Sequence, residues 1–279
     1  MSIPLPASTG AENITVNFGE NQNTGYDFSV AAQIIRNRNW AWTSVINGSH
    51  VKDRIKRISN TLKNTSYQVD LDSPLMLRFR EGGSQYDIYA VRSAGIDPAT
   101  GQEIFINKNG EYTFKYDAED EVVVGNTQPK LQGTWLNTLR YKGWSLNFVF
   151  SYTFGGDTYN KTLWEKVEDI DPRYNVDERA FTDRWKNPGD LSRYLAIKER
   201  RSTTPHNSER FVERLNELWL SSATLTYEFQ PKFLKRLGFK RLAVGVGVTD
   251  IVRFSTVKYE RGTSYPYCRT INLTFRPTF

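Results

Sequence analysis

The chain has 279 residues, of which 38% are hydrophobic, 14% aromatic and 24% charged, and its mean hydropathy is -0.58. Lys and Arg at 37 against Asp and Glu at 31 give a net charge of +6, but the basic residues are dispersed along the chain and not gathered into one stripe, which argues against nucleic acid. The longest uncharged apolar stretch, Leu242 to Val248, is far short of the ~20 residues of a membrane-spanning helix, and a single cysteine (Cys268) with two histidines (His50, His206) excludes disulfide frameworks and Cys- or His-rich metal centres.

The N-terminal stretch, Met1 to Pro6, has no positive n-region and no apolar h-region, so it does not read as a secretory signal. The first periodic segment follows: Tyr26, Phe28, Val30, Ala32 and Ile34 alternate with Asp27, Ser29 and Gln33. Trp40, Trp42 and Ile46 open the next. Val51, Ile55, Ile58 and Leu62 then fall at helical spacing, which predicts a short helix after the second strand. Asn109-Gly110, flanked by Phe105, Tyr112, Phe114 and Tyr116, predicts a two-residue hairpin.

Leu131, Trp135, Leu139 and Tyr141 alternate with Gln132, Thr134, Thr138 and Arg140. From Trp144 to Phe154 the alternation is clearest: Trp144, Leu146, Phe148, Phe150, Tyr152 and Phe154 share one face, small polar residues the other, and only Val149 is out of pattern. Asp157 to Glu168 predicts a second short helix. Three more strands follow, carried by Ala223, Leu225, Tyr227 and Phe229, by Leu242, Val244, Val246 and Val248, and by Ile271, Leu273, Phe275 and Phe279.

These seven strands are longer than the five or six residues usual in soluble sheets. Their joins alternate between short (Arg36 to Trp40, Tyr141 to Trp144, Pro231 to Phe239) and long (Lys52 to Lys130, Gly155 to Asn216, Val252 to Pro266). Short turns on one side and long loops on the other are the layout of an outer-membrane barrel. The expected fold is therefore all-β: an antiparallel transmembrane β-barrel segment, a partial barrel of about seven or eight strands with long extracellular loops. Aromatics near strand ends (Trp40, Trp42, Tyr141, Trp144, Tyr152, Phe154, Tyr227, Phe229) suit the girdles of such a barrel. A soluble, secreted carbohydrate-binding β-sandwich is the alternative, with the same aromatics as its core.

Five stretches resemble the C-terminal part of the SusC/RagA family of TonB-linked outer-membrane transporters: EGGSQYDIYAVRSAGIDPATGQEIF (Glu81 to Phe105), VGNTQPKLQGTWLNTLRYKGWSLNFVFSYTFGG (Val124 to Gly156), RWKNPGD (Arg184 to Asp190), LNELWLSSATLTYEF (Leu215 to Phe229) and RGTSYPYCRTINLTFRPTF (Arg261 to Phe279). The resemblance implies a parent barrel of about twenty-two strands located in the outer membrane, a plug in its lumen through which the TonB system acts, and a SusD-like surface lipoprotein as lid. It implies import of oligosaccharides, with peptides or iron chelates as the alternative substrates. On this reading residues 1–279 are the C-terminal barrel portion of such a receptor, without plug or signal peptide, contacting outer-membrane lipid on one face and a glycan or peptide substrate through its loops.

Within that frame, Ile271, Leu273, Phe275 and Phe279 match the last-strand signal for outer-membrane assembly, with Pro277 departing from a clean pattern because it removes one ladder donor. Tyr159, Trp164, Tyr174 and Trp185 are the candidates for stacking on substrate. GIDPATG (Gly95 to Gly101) reads as a turn, with contact to the lid or to substrate as the functional alternative. The acidic run Asp117, Glu119, Asp120 and Glu121 lacks the spacing of a calcium loop. No nucleophile elbow, phosphate loop, metal-binding helix or paired carboxylate marks a catalytic residue, so no enzyme, cofactor or metal is expected.

Overall fold

The computed structural model describes residues 2–4, 13–15, 19–58, 80–170, 173, 176–197, 207–230, 238–258 and 269–278. In chain order the strands are β1 (Ser2–Pro4), β2 (Asn13–Thr15), β3 (Gly19–Arg36), β4 (Trp40–Ile58), β5 (Asp87–Ala90), β6 (Arg92–Ile96), β7 (Glu103–Ile106), β8 (Tyr112–Thr113), β9 (Val122–Asn126), β10 (Leu131–Tyr141), β11 (Trp144–Tyr159), β12 (Val212–Glu228), β13 (Arg241–Ser255) and β14 (Ile271–Thr278). Seven of them form one sheet in the order β14-β13-β12-β11-β10-β4-β3. Each member lies beside its neighbour in the chain apart from the inserted β5–β9, the up-and-down order of a barrel wall. The chain is thus all-β, a seven-stranded segment of an antiparallel transmembrane barrel with β3 and β14 at its edges. No helix among the described residues is long and apolar enough to cross a membrane, which says nothing of strands.

The chain divides into two compact units. One holds residues 25–51, 129–156 and 214–279, the greater part of the seven strands. Its registers place like with like: Trp40↔Tyr141↔Trp144, Trp42↔Leu139↔Leu146 and Ile46↔Trp135↔Phe150 lie on one face, while Thr43↔Thr138↔Asn147 and Asn47↔Thr134↔Ser151 lie on the other. Because side chains alternate across a strand, a shift of one residue would exchange the two faces, so this pattern specifies the odd-versus-even register. On the polar face Ser29 Oγ donates to Asn47 Oδ1 at 2.7 Å, Asn47 Nδ2 to Thr134 Oγ1 at 3.3 Å and Thr138 Oγ1 to Asn147 Oδ1 at 2.8 Å. On the aromatic face the rings at the turn end touch in a row, with centroids 4.3 Å apart for Trp40 and Tyr141, 4.6 Å for Trp144 and Tyr227 and 4.9 Å for Tyr227 and Phe229.

Two tryptophans on that face serve polar partners. Trp42 Nε1 donates to Asn137 Oδ1 at 3.1 Å and Trp135 Nε1 to Ser44 Oγ at 2.8 Å. Ser44 and Asn137 are paired in the register and both are buried. Next to them Tyr152 reaches from β11 over Gly133 to donate to the Asn47 carbonyl on β4 at 2.8 Å. A Cβ at Gly133 would come within 2.7 Å of that hydroxyl and 2.0 Å of the Asn47 oxygen, so only glycine permits the reach. Between β12 and β13 the register shifts at Leu220/Ser222, beside Asp250, whose φ of +54° marks the bulge.

The other unit holds residues 1–24, 52–128 and 157–213. It contains the two-stranded pair β5-β9, the three-stranded sheet β6-β7-β8 and short helical turns at Lys161–Leu163, Trp164–Glu168 and Arg179–Thr182. Its core is Tyr159, Leu163, Val167, Ile170, Ala180, Tyr194 and Phe211. Three sequence expectations are corrected here. Residues 51–58 are not helical but continue β4, because Ile55 N donates to Gly83 O and accepts at its own carbonyl from Gly82 N, both at 2.8 Å. The Asn109-Gly110 hairpin exists, with Phe105↔Thr113 and Ile106↔Tyr112 paired, but its loop runs over residues 107–111 and not two residues. The helix expected from Asp157 starts only at Lys161, since Asp157 to Tyr159 end β11.

Candidate functional site

Three of the stretches that carry the family resemblance, Glu81 to Phe105, the start of Val124 to Gly156 and Arg184 to Asp190, hold the second unit together. In EGGSQYD, Glu81 Oε1 accepts from Ile58 N at 3.1 Å, and the buried Asp53 carboxylate of β4 accepts from Ser84 Oγ at 2.9 Å, Asn21 Nδ2 at 3.0 Å and Gln85 N at 3.3 Å. In VGNTQPK, Asn126 donates from Nδ2 to Asp87 Oδ1 at 2.8 Å and from its backbone to Asp157 Oδ2 at 3.0 Å. A buried carboxylate that accepts several donors has its acceptor oxygens satisfied and is fixed in direction.

GIDPATG and RWKNPGD dock on each other. Asp97 accepts from Thr100 Oγ1 at 2.6 Å and from the backbone of Ala99 and Thr100, which closes the turn. Those hydrogen bonds, the Thr100 hydroxyl first and the Ala99 amide second, pull the Asp97 pKa below its ordinary value. Trp185 Nε1 then donates to the Pro98 carbonyl at 2.8 Å, and Gly189 N donates to the same oxygen at 2.8 Å. Gly101, at φ +75°, lies under the Trp185 ring: a Cβ there would meet it at 2.6 Å. Glycine is required at this position on both counts.

Arg184 of the same motif is buried and gives its guanidinium to four backbone carbonyls: Ala180 at 2.7 Å, Val167 at 2.5 Å, Glu168 at 2.7 Å and Leu195 at 3.0 Å. Burial lowers its pKa below the ordinary arginine value, opposed chiefly by the nearby Glu168 carboxylate. Arg210 has a different environment. Its Nε is 2.9 Å from Glu103 Oε1, and its Nη2 lies 3.0 Å from Glu103 Oε2 and 2.8 Å from Glu168 Oε1. Its cation rests 4.9 Å from the centre of the Phe211 ring. Burial alone would lower the Arg210 pKa, yet Glu103 and then Glu168 raise it above the ordinary value. Ser208 Oγ donates a short hydrogen bond to Glu103 as well.

The substrate-stacking candidates are placed as follows. Tyr159 is buried in the core with its ring 6.0 Å from Phe211, Trp164 packs half-buried against the same core, and Trp185 is half-buried against the GIDPATG turn. Tyr174 lies outside the described residues. What the unit offers to solvent instead is a cleft of about 270 Å³ lined by Gly95, Ile96, Ser192, Arg193, Tyr194 and Arg210. The polar face of the strand unit carries a second hollow of about 430 Å³, lined by Asp27, Ser29, Asn47, Ser49, Gln132 and Thr134 among others.

Of the residues expected to carry an assembly signal, Ile271, Leu273 and Phe275 lie on β14 opposite Val248, Val246 and Val244 and are 67%, 81% and 62% exposed, an outward apolar row. Phe279 lies outside the described residues. Asp117 of the acidic run caps a 3-10 turn, and Glu121 is buried against Tyr116 and Asn207. Among the described residues no three His, Cys, Asp or Glu side chains group so as to hold a metal ion.

Sequence reasoning did not single out Arg184, Arg210, Glu103 or Asn137. Arg184 sat inside a quoted motif without a role. Asn137 was legible as a polar residue in the apolar phase of β10, an interruption of the alternation that the expectation passed over.

No family model matches the chain. Among curated proteins it is similar to TonB-dependent receptor P39 of Formosa agariphila, 24% identical over 91% of this chain and 28% of the receptor, and to receptor P26 of the same organism, 25% identical over 100% of this chain and 31% of the receptor. The chain therefore spans roughly three-tenths of the length of the relatives it matches. Among solved structures, the RagAB peptide transporter shares the fold with a TM-score of 0.70 at 17% identity, covering 91% of this chain and 28% of that one. The RagAB importer in its open-open state gives 0.70 at 19% identity, over 93% of this chain and 28% of that one. Along nine-tenths of its length or more, this chain thus resembles the TonB-linked outer-membrane transporters of the SusC/RagA family, as its motifs implied.

Proposed function

We propose that this chain is the C-terminal barrel-wall portion of a TonB-dependent outer-membrane importer that takes up oligosaccharides. The observation that carries the reading is the seven-stranded sheet with an aromatic face and a hydrogen-bonded polar face, its β3–β4 and β10–β11 joins short and its β4–β10 and β11–β12 joins long. A lipid-facing and a water-facing surface on the same strands is what a barrel wall requires. Similarity to TonB-dependent receptors over the whole chain supports it.

On this reading the portion supplies wall and loops and no chemistry. Energy enters through the TonB system acting on a plug, and a SusD-like lipoprotein closes over the loops. Substrate meets the cleft beside Arg193, whose exposed guanidinium donates to the oxygens of a glycan. A peptide is the second reading, favoured by the fold likeness to the RagAB peptide transporter, and its carbonyls would use the same donor.

The test is uptake. Cells lacking the gene are grown on single glycan or peptide sources, with a TonB-deficient strain beside them. The proposal expects growth on one class of oligosaccharide to be lost in both strains and restored by the gene. Loss on peptides alone would shift the substrate to the second reading. Unimpaired growth of the TonB-deficient strain on the affected source would contradict the importer reading itself.

A further inference from the structure

The turn end of the strand unit is strongly basic. Arg36 and Arg38 flank the β3–β4 turn, Arg140 and Lys142 the β10–β11 turn, and Lys240 and Arg241 open β13; all six are exposed. Against them, the acid among the described residues at these strand ends is Glu228, itself exposed and 3.7 Å from Arg241 Nε. Six cations to one anion is a large local excess in a chain whose overall balance is 37 to 31.

The same strand ends hold the aromatic row Trp40, Tyr141, Trp144 and Tyr227. Lys142 Nζ stands 5.2 Å from the centre of the Tyr141 ring. Interfacial aromatic rings sit at headgroup depth, with the indole or phenol at the border of water and hydrocarbon. Long cationic side chains attached at or just beyond that row reach the phosphate level. The cations follow the row across successive strands and are not gathered at one point, so their geometry matches a plane of headgroups better than a compact acidic protein.

We infer that the turn end of this sheet is a binding surface for anionic phospholipid headgroups, in the leaflet that meets the short turns. The negatively charged lipid binds through its phosphates to Arg38, Lys142 and Lys240, while its acyl chains lie along the aromatic and aliphatic face. The inference rests on the membrane-spanning fold and is independent of the substrate. Exposed charges act through screened attraction, so the preference weakens as salt rises.

The test uses the whole polypeptide that carries this sequence, purified in a zwitterionic detergent and mixed with dioleoyl phosphatidylglycerol or dioleoyl phosphatidylcholine, with retained lipid counted by native mass spectrometry. The expected result is at least fivefold greater retention of phosphatidylglycerol. The R38Q/K142Q/K240Q variant brings the ratio within twofold, and K108Q/K115Q/K186Q, which removes the same charge from exposed positions in the other unit, leaves it intact. Equal retention of the two lipids by the unaltered protein would overturn the inference, as would an equal loss of preference in both variants. A polypeptide that stays soluble without detergent and retains neither lipid overturns it together with the membrane-spanning fold.

Discussion

Arg184 brings a charge into a site lined by carbonyl oxygens, and its planar fork matches four of them at once. Lysine has the charge but a single nitrogen that cannot span these acceptors. Arg184→Lys is therefore expected to cost about 2–4 kcal/mol of local stability, since buried acceptors lose their donors. Amide hydrogen exchange at Ala180 and Trp185 reads the loss as faster opening, and unchanged protection would contradict the role. The GIDPATG turn responds to pH instead. The Asp97 pKa lies below its ordinary 3.8 because the charged form is hydrogen-bonded. A depressed folded value stabilises the turn above pH 3.8, and that contribution is lost as pH falls through the folded pKa. Thr100→Val removes the strongest donor, so an NMR titration should show the Asp97 pKa rising toward 3.8; no movement would remove Thr100 from the account. At this scale the sequence displayed the residues but not their partners. The motif RWKNPGD contains Arg184, while its acceptors are spread from Val167 to Leu195 and converge only in the folded loop.

Strand β4 meets β10 with a connection of dozens of residues between them, so no tight turn sets their register. Alternation excludes slips of one residue but tolerates slips of two. The indole bonds Trp42–Asn137 and Trp135–Ser44 discriminate, because a two-residue slip that sets Ser44 opposite Leu139 and Asn137 opposite Ile46 separates both polar groups from their donors. Two hydrogen bonds at about 0.5–1.5 kcal/mol each correspond to roughly a five- to hundredfold bias. With Ser44→Ala and Asn137→Leu combined, cross-linking of the T43C/R140C pair, which reports the slip, should rise severalfold relative to the T43C/T138C pair, which reports the native register. An unchanged ratio would assign register to something else. The element that sequence analysis misread, residues 51–58, fails for a related reason: Val51, Ile55 and Ile58 do have helical spacing, but distant pairing with Gly82 and Gly83 overrides a local pattern. The long strands themselves were legible because lipid on one side and water on the other impose a period of two that no loop or helix shares.

The open edges of the sheet, β3 and β14, leave rows of backbone donors and acceptors that a bilayer cannot satisfy. Pairing of both edges with further strands would satisfy these groups, as the proposed barrel-wall role requires. A barrel wall requires one face of these strands to meet lipid and the other to meet water. The most direct test of that division is single-cysteine accessibility along β11 in the membrane-embedded whole polypeptide on a Cys268→Ser background, with a membrane-impermeant maleimide as probe. Labelling should alternate, strong at Asn147, Val149, Ser151 and Thr153 and weak at Leu146, Phe148, Phe150 and Tyr152. Uniform labelling, or protection of the polar phase with exposure of the aromatic one, would contradict it.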